Sequence, residues 1–329
     1  MSQPLSTVYR APTRSVAAFL AMFVIGFDLV GLAVALPSIG ADLRVSAADL
    51  SWVMAVGPLA VAATLLLANR FGPRAFHLGF ALFAAGAVLA TFAGHVSVLL
   101  VARPLQGVGA ALVLATVSWR PHVSAALAGL VAGGALVSWF GWQSIFVADV
   151  VLSVVALARP PVRAVAARAP LNQSLLAAGA AALLTAALLL TAQHVQLLGQ
   201  SPLRAGLLMA PAALALLAHR GAGWLTRVVG RRTTIHLGFA TAALGFWMLA
   251  DASFPLLVAG LVTVTVSLAV MGLAGDVAFT ALGVVLGVAV TTVDSPYLVA
   301  ILAAAVFSCS VAVPATGRPT AAPGAGTRG

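Results

Sequence analysis

Long apolar runs separated by short polar segments dominate this chain. A helix that crosses the hydrocarbon core of a bilayer needs about 20 mostly apolar residues. Reading from one polar interruption to the next gives twelve candidate runs, at residues 15–37, 50–69, 75–93, 97–118, 123–139, 143–158, 174–195, 204–219, 233–250, 254–275, 277–293 and 297–313. The pattern predicts an all-α, polytopic membrane protein with about twelve transmembrane helices.

The positions of the arginines predict the orientation of these helices. Arginine collects in the cytoplasmic loops of membrane proteins. If the N-terminus is inside, the inner loops and tails hold Arg10, Arg14, Arg70, Arg74, Arg120, Arg159, Arg163, Arg168, Arg220, Arg227, Arg231, Arg232, Arg318 and Arg328. The outer loops then hold only Arg44 and Arg204. The sequence therefore predicts a multi-pass protein of the cytoplasmic membrane with both termini cytoplasmic.

A basic, proline-rich segment at residues 159–173 divides the runs six and six. The predicted organisation is a cytoplasmic tail at 1–14, a six-helix bundle at 15–158, this segment as a cytoplasmic linker, a second six-helix bundle at 174–313, and a disordered cytoplasmic tail at 314–329. A short loop motif recurs once in each half, as Asn69, Arg70, Gly72 and Arg74 and then as Gly230, Arg231 and Arg232. Two bundles joined by a cytoplasmic linker form a transporter architecture.

Composition narrows the functional classes. Charged residues make up only 7% of the chain and apolar residues 62%, against about 25% charged in a soluble domain. The formal charge of +10 does not cluster on a polar face, so nucleic acid is not an expected partner. The single cysteine, Cys309, and the scattered histidines have no metal-ligand spacing. The chain also lacks recognisable hydrolase, metalloprotease and phosphate-binding motifs, so neither an enzyme nor a metal or organic cofactor is expected.

Ionisable residues inside the runs are the strongest candidates for chemistry. An Asp or Arg at mid-membrane costs about 2.5 to 3.5 kcal/mol on the insertion scale, and the runs retain only Asp28, Arg103 and Asp149. Asp28 and Arg103 are expected at similar depths, about one helical turn apart. They could pair, or share water, if their helices are neighbours. Gln106 shares the helical face of Arg103. Two interpretations remain: a proton-linked or substrate-cation site, and a static polar contact between helices.

Other notable residues have structural interpretations. Asp149 lies toward the outer part of its run, where a carboxylate is expected to reach water. His194 is expected at the interface rather than at a substrate. The tryptophans at the run ends are expected to anchor the helices at the membrane surface. The glycines expected to permit close helix packing or gating are Gly107, Gly109, Gly129, Gly133 and Gly134.

The sequence resembles the major facilitator superfamily, and in particular drug:proton antiporters of the EmrB/QacA type. The first-run signature is Asp28 followed by Ala35-Leu36-Pro37, and the fourth-run signature is Arg103, Gln106, Gly107, Gly109 and Ala111. Residues 138–142 and 201–206 are also typical of this group. The resemblance implies that Asp28 and Arg103 form the proton-coupling pair. It also implies that the first and fourth helices of each half line the central cavity.

The chain also departs from that pattern. Leu65 replaces the glycine that opens the first loop motif, and Pro73 replaces a basic residue. In the second copy of the motif, Arg227 stands where an acid is expected. Gly129 is followed by Leu130, whereas the antiporter motif of the fifth helix has Gly-Pro. In the family this motif is associated with sealing the transport pathway, so its loss weakens the expectation of coupled antiport.

The leading hypothesis is a carrier that exports lipophilic small molecules, including cations, in exchange for protons. Its expected partners are the substrate and the lipid bilayer, its coupling ion is the proton, and the chain is expected to be monomeric. A shortened remnant that does not transport, or that acts only through interactions, is the alternative. A uniporter or symporter of a polar solute is a third reading, and it requires more polar cavity residues than the second half contains.

Overall fold

The computed structural model describes residues 16–65, 74–116, 128–158, 171–215, 218–249, 253–271 and 277–291. Within these ranges the chain is helical and forms no strand. The helices are α1 (Val16–Leu43), α2 (Ala47–Leu65), α3 (Ala75–Thr91), α4 (Val96–Leu114), α5 (Gly133–Phe140), α6 (Gln143–Leu157), α7 (Leu171–Leu197), α8 (Pro202–Ala215), α9 (His219–Val229), α10 (Arg231–Leu249), α11 (Phe254–Met271) and α12 (Val277–Thr291). A π-helical turn, Ala128–Ala132, leads into α5.

Eleven of the twelve predicted apolar runs correspond to described helices. The twelfth, at 297–313, lies outside the described residues, as do both predicted tails and residues 159–170 of the predicted linker. Helix α7 begins at Leu171, so the last three residues assigned to the linker are helical. The all-α prediction is confirmed for the part of the chain that the structure describes.

One helix was missed because the sequence was divided at polar residues. The loop predicted between the eighth and ninth runs contains α9, which is followed by Gly230, a glycine with φ of 82°. Trp224 and Val228 of this helix are exposed, and Arg227 donates a hydrogen bond to the Gly223 carbonyl, 2.9 Å away. Arginine is a good helix former, so a basic segment can continue as helix where hydropathy predicts a break.

The described helices differ in their ability to span a bilayer. By length and composition, four described segments are long and apolar enough: Phe19–Leu43, Ala48–Leu65, Val96–Leu114 and Ala180–Leu197.

Helix α1 continues to Leu43, beyond the predicted end at residue 37, and contains Pro37 in its interior. A proline removes one backbone hydrogen bond and kinks a helix but need not end it. The arginine pattern predicts that the Leu43 end of α1 lies on the external side of the membrane. We call this side of the molecule the predicted outer end.

Packing within the first half brings α4 against α2 and α3, while α6 packs against α1 and α3. Glycines permit the closest approaches. A Cβ on Gly107 of α4 would overlap the carbonyl oxygen of Gly57 in α2. A Cβ on Gly109 would meet the backbone of Gly79 and Phe83 in α3. Helix α4 is therefore held backbone to backbone between its two neighbours.

The two halves meet through α2 with α12, α5 with α8, and α1 with α7. At the α5–α8 seam, a Cβ on Gly134 would lie 2.6 Å from the Pro202 carbonyl oxygen. A Cβ on Gly206 would overlap the carbonyl of Leu130 in the π-helical turn. Gly129 and Gly133 face Val30 and Gly31 of α1 instead. These glycines thus lie where helices pack, both within the first half and between the halves.

Polar contacts join helices at the predicted outer end. Gln196 of α7 donates from Nε2 to the Val34 carbonyl of α1 at 3.0 Å, and the Leu203 amide of α8 donates to Ser138 Oγ of α5 at 2.9 Å. Both hydrogen bonds cross between the halves. Within the first half, the indole N–H of Trp142 donates to Asp42 at 2.8 Å.

That indole contact corrects an expectation about the tryptophans. Trp142 is 2% exposed, so it packs inside the protein instead of anchoring the helix at the membrane surface. Trp52, Trp139, Trp224 and Trp247 are more than half exposed. A position at the end of a run does not distinguish the two cases, because a tryptophan there can face lipid or a neighbouring helix.

The closest helix contact gives a stability prediction. Gly107→Ala places a methyl group where the Gly57 carbonyl lies, so α2 and α4 must separate, and we expect a loss of about 1 to 3 kcal/mol. Thermal unfolding of the purified protein in detergent would measure it. The matched control is Gly94→Ala, since a Cβ on Gly94 meets nothing within 4 Å. Equal melting temperatures for the two variants would contradict the described α2–α4 contact.

Candidate functional site

A buried ion pair joins α1 to α4. Arg103 Nη1 lies 2.6 Å from Asp28 Oδ1, and the same nitrogen donates to Gln106 Oε1 at 2.8 Å. Arg103, Asp28 and Gln106 are 2%, 5% and 1% exposed. The structure therefore brings together the three residues that the sequence singled out. A charge-assisted hydrogen bond of this length is among the stronger polar contacts in proteins.

Small residues on the neighbouring helices make room for these side chains. A Cβ on Gly57 of α2 would lie 3.4 Å from Arg103 Nη2, so the guanidinium lies directly against the backbone of that helix. A Cβ on Gly86 of α3 would lie 2.7 Å from Gln106 Cγ. The residues that form the site are therefore not limited to its polar side chains. They include glycines on the two helices that enclose α4.

Asp149 corrects the sequence analysis. It is 0% exposed and lies on the buried face of α6 with Ile145, Phe146, Ser153 and Ala156. The expectation that its carboxylate would reach water is wrong, because that expectation used only the distance from the end of the run. Its spacing of three and four residues from Phe146, Ile145 and Ser153 places these side chains on one helix face.

Helices α1 and α6 run antiparallel, since Trp142 at the start of α6 bonds Asp42 near the end of α1. A Cβ on Gly31 of α1 would lie 3.2 Å from the side chain of Ile145 in α6. One turn from that contact, in the same direction, Asp28 and Asp149 therefore lie side by side. We call Asp28, Arg103, Gln106 and Asp149 the charged cluster. Neither oxygen of Asp149 accepts a hydrogen bond from a described group. Arg103 Nε, Gln106 Nε2 and Ser153 Oγ are likewise buried without a partner among the described residues. Two carboxylates thus lie beside one guanidinium, with unused donors and acceptors around them.

The charged cluster belongs entirely to the first half. Among the described residues, its three ionisable members are the only charged residues that are buried. The second half buries neutral hydroxyls instead, namely Thr185, Thr191, Thr234, Thr265 and Ser267. A cavity of about 370 Å³ in the second half is lined by residues of α9, α10 and α11, including Thr241 and Ser267. It is separate from the cluster.

The predicted loop motifs do not join this site. Asn69, Arg70 and Gly72 lie outside the described residues. Arg74 is exposed at the start of α3, and Arg231 and Arg232 are exposed at the start of α10. Gly230 supplies the left-handed backbone between α9 and α10. Across the described ranges, no group of three His, Cys, Asp or Glu side chains is arranged to hold a metal ion.

Comparison with solved structures establishes the fold. The crystal structure of the nucleoside transporter NupG superposes with a TM-score of 0.65, covering 90% of this chain and 97% of that one, at 11% sequence identity. An uncharacterized MFS-type transporter of Mycobacterium tuberculosis is 33% identical over 177 residues, which cover 46% of this chain and 31% of that protein. The chain therefore has the fold of a major facilitator transporter, and about half of it is similar in sequence to transporters of that type.

Other similar proteins are transporters by name. The multidrug efflux pump LfrA of Mycolicibacterium smegmatis is 35% identical over 43% of this chain and 34% of its own length. The riboflavin transporter RibZ of Clostridioides difficile is 27% identical over 42% of this chain and 36% of its own. No family model matches the sequence. Each alignment spans only about a third of the relative.

These findings confirm the predicted resemblance to major facilitator transporters and the predicted fold. The apolar helices and the similarity to membrane transporters indicate a multi-pass membrane protein, so the charged cluster lies in a region that lipid tails separate from water. The cost of an uncompensated charge there is several kcal/mol, which makes the cluster the main electrostatic constraint on the structure.

Loss of the single cation should therefore be severe and pH-dependent. Arg103→Leu leaves two buried carboxylates without a counter-ion, and we expect a loss of about 3 to 5 kcal/mol at pH 8. Protonation of the carboxylates at pH 5 should restore part of it. Thermal unfolding across this pH range measures both effects, with Arg204→Leu as a control at an exposed arginine. A loss for Arg103→Leu that is independent of pH would contradict the charge argument.

Proposed function

We propose that this protein exports lipophilic small molecules from the cytoplasm in exchange for protons, by alternating access in the cytoplasmic membrane. The observation that carries the proposal is the buried pair of Asp28 and Arg103, joined at 2.6 Å inside a major facilitator fold. Relatives named as a multidrug efflux pump and as a tetracenomycin C resistance and export protein support export as the direction. Both termini would be cytoplasmic, and the protein would act as a monomer.

Asp28 would accept the coupling proton, and Arg103 would control when it is held. A conformational change that alters the distance between the guanidinium and the carboxylate would let this site bind and release the proton. Gln106 accepts a hydrogen bond from the guanidinium. This contact fixes the position of the guanidinium while it is paired with Asp28.

Alternating access requires the halves to rock as bundles. At the predicted outer end, the hydrogen bonds of Gln196 to Val34 and of Leu203 to Ser138 cross between them. A hydrogen bond of this kind contributes about 0.5 to 1.5 kcal/mol. Breaking both would therefore need only a few kcal/mol, which substrate or proton binding can supply. The contacts hold the outer end together without making opening prohibitive.

A lipophilic substrate fits the distribution of polar groups better than a polar solute does. The second half buries hydroxyls that bond mostly to their own helix, for example Thr191 to Ala187 and Thr265 to Leu261. Such groups have little remaining capacity to bind a polar ligand. Drug-sized ligands are selected by apolar shape and a few polar groups.

A remnant that does not transport is the alternative, and the departures from the antiporter motifs at Leu65 and Leu130 favour it. Transport activity itself separates the two functions.

The decisive measurement is substrate-triggered proton release in everted membrane vesicles, with ethidium as the probe and a pH-sensitive dye as the readout. We expect release from the wild type and at least a tenfold smaller rate from Asp28→Asn, because an amide cannot carry the proton. Asp49→Asn is the control, since Asp49 caps α2 through Ser46. Absence of release from inserted, folded wild-type protein would reject proton-coupled export and favour the remnant.

The orientation is tested separately by thiol labelling. In a Cys309→Ser background, a cysteine replacing Arg44 should react with a membrane-impermeant maleimide added to intact cells. A cysteine replacing Arg231 should react only after the membrane is opened, because the arginine pattern places it inside. Both positions are exposed on the protein. The reverse labelling pattern would invert the proposed topology.

A further inference from the structure

Asp149 is a buried carboxylate for which the proposed mechanism gives no role. It is 0% exposed, and neither of its oxygens is hydrogen-bonded to a described group. Buried polar groups in native proteins are nearly always satisfied, and each exception requires an explanation. A carboxylate in the interior of a membrane protein is also costly enough to indicate function.

Charge balance supplies the explanation. Asp28 and Asp149 would together carry two negative charges, whereas Arg103 supplies one positive charge. The helices packed against α6 are α1, α3 and α5, and they offer no second cation within the described residues. Asp42 of α1 binds Trp142 near the predicted outer end, His77 of α3 is exposed, and α5 has no titratable residue. One negative charge therefore remains uncompensated unless the cluster binds a cation.

We propose that Asp28 and Asp149 form a carboxyl–carboxylate pair that holds one proton between them beside Arg103, and that this shared proton is the coupling proton. Two carboxylates that interact closely take up protons as a unit, so the bound proton belongs to the pair and not to one residue. The coupling role of this proton rests on the proposed function. The existence of the shared proton does not.

The pair accounts for the unsatisfied atoms of Asp149 and Gln106. A protonated carboxyl of Asp149 would donate its O–H to Asp28, and its carbonyl oxygen would remain to accept a hydrogen bond from Gln106 Nε2. Proton release breaks that O–H bond and transfers the proton to water. Two ionised carboxylates then face one guanidinium and repel each other. Separation of α1 from α6 is the motion that relieves this repulsion.

The structure makes a reciprocal prediction that a single titrating acid does not. Asp149→Asn leaves Asp28 alone with Arg103, and Asp28→Asn leaves Asp149 alone with Arg103. Either variant has one carboxylate and one guanidinium, so neither needs a proton. Both single substitutions should therefore abolish the bound proton. A residue with a purely structural role would not affect the protonation of another acid in this way.

The experiment is pH-difference infrared spectroscopy of the full chain in lipid nanodiscs, without substrate. The carbonyl stretch of a protonated, buried carboxyl is the signal. The wild type and Asp42→Asn should show it, and Asp28→Asn and Asp149→Asn should each lose it. Arg103→Gln should increase it about twofold, because both acids then bind protons. Asp149→Glu should retain the band with a shifted pH midpoint, which guards against loss through misfolding.

Several outcomes overturn the proposal. A band that survives in Asp28→Asn would mean that Asp149 is a neutral acid by itself. A band that survives in Asp149→Asn would place the proton on Asp28 alone. No band in the wild type would mean that the pair is not protonated, and a band removed by sodium chloride but not by choline chloride would identify a sodium site instead.

Vesicle measurements separate this proposal from the proposed function. If ethidium releases no protons from wild-type vesicles but the infrared band behaves reciprocally, the shared proton stands and proton-coupled export fails. If release occurs in the wild type and in Asp149→Asn at the same rate, export stands and the coupling role of Asp149 fails. With both proposals correct, Asp149→Asn lowers the release rate at least tenfold and Asp149→Glu retains it.

Discussion

A charge inside hydrocarbon must be balanced by another charge or a proton, and this constraint organises the first half of the molecule. Arg103 holds Asp28 at 2.6 Å, and Asp149 lies fully buried beside them. The glycines of α2 and α3 leave the volume that the guanidinium and its glutamine neighbour occupy. Packing and electrostatics thus depend on the same helix, α4, which carries both the cation and the small residues.

Much of this arrangement could be predicted from sequence because ionisable residues are rare in apolar runs. That rarity identified Asp28 and Arg103, and apolar length identified most helices. The face of Asp149 could not be predicted in the same way, because α6 is apolar around its whole circumference apart from a few residues. Without a polar stripe, helical periodicity does not show which side faces the protein.

Helix α9 was not predicted from sequence for a different reason. Its arginine and glycine residues lower its hydropathy, so it was predicted as a loop although the backbone remains helical. Pro37 had a similar effect on α1, which continues to Leu43. Hydropathy reports where lipid tails surround the chain, whereas helix ends are set by backbone hydrogen bonds. The two boundaries need not coincide.

The glycines at the seam between α5 and α8 have a consequence for kinetics. Gly134 and Gly206 each meet backbone atoms of the facing segment, with no side chain placed between them. Interlocked side chains would have to leave their rotamers before two helices could rotate. A contact between two backbones avoids that step. The activation barrier for rotating α5 against α8 would therefore be low and largely independent of the neighbouring side chains. The speed of exchange between conformations would then be set by contacts elsewhere.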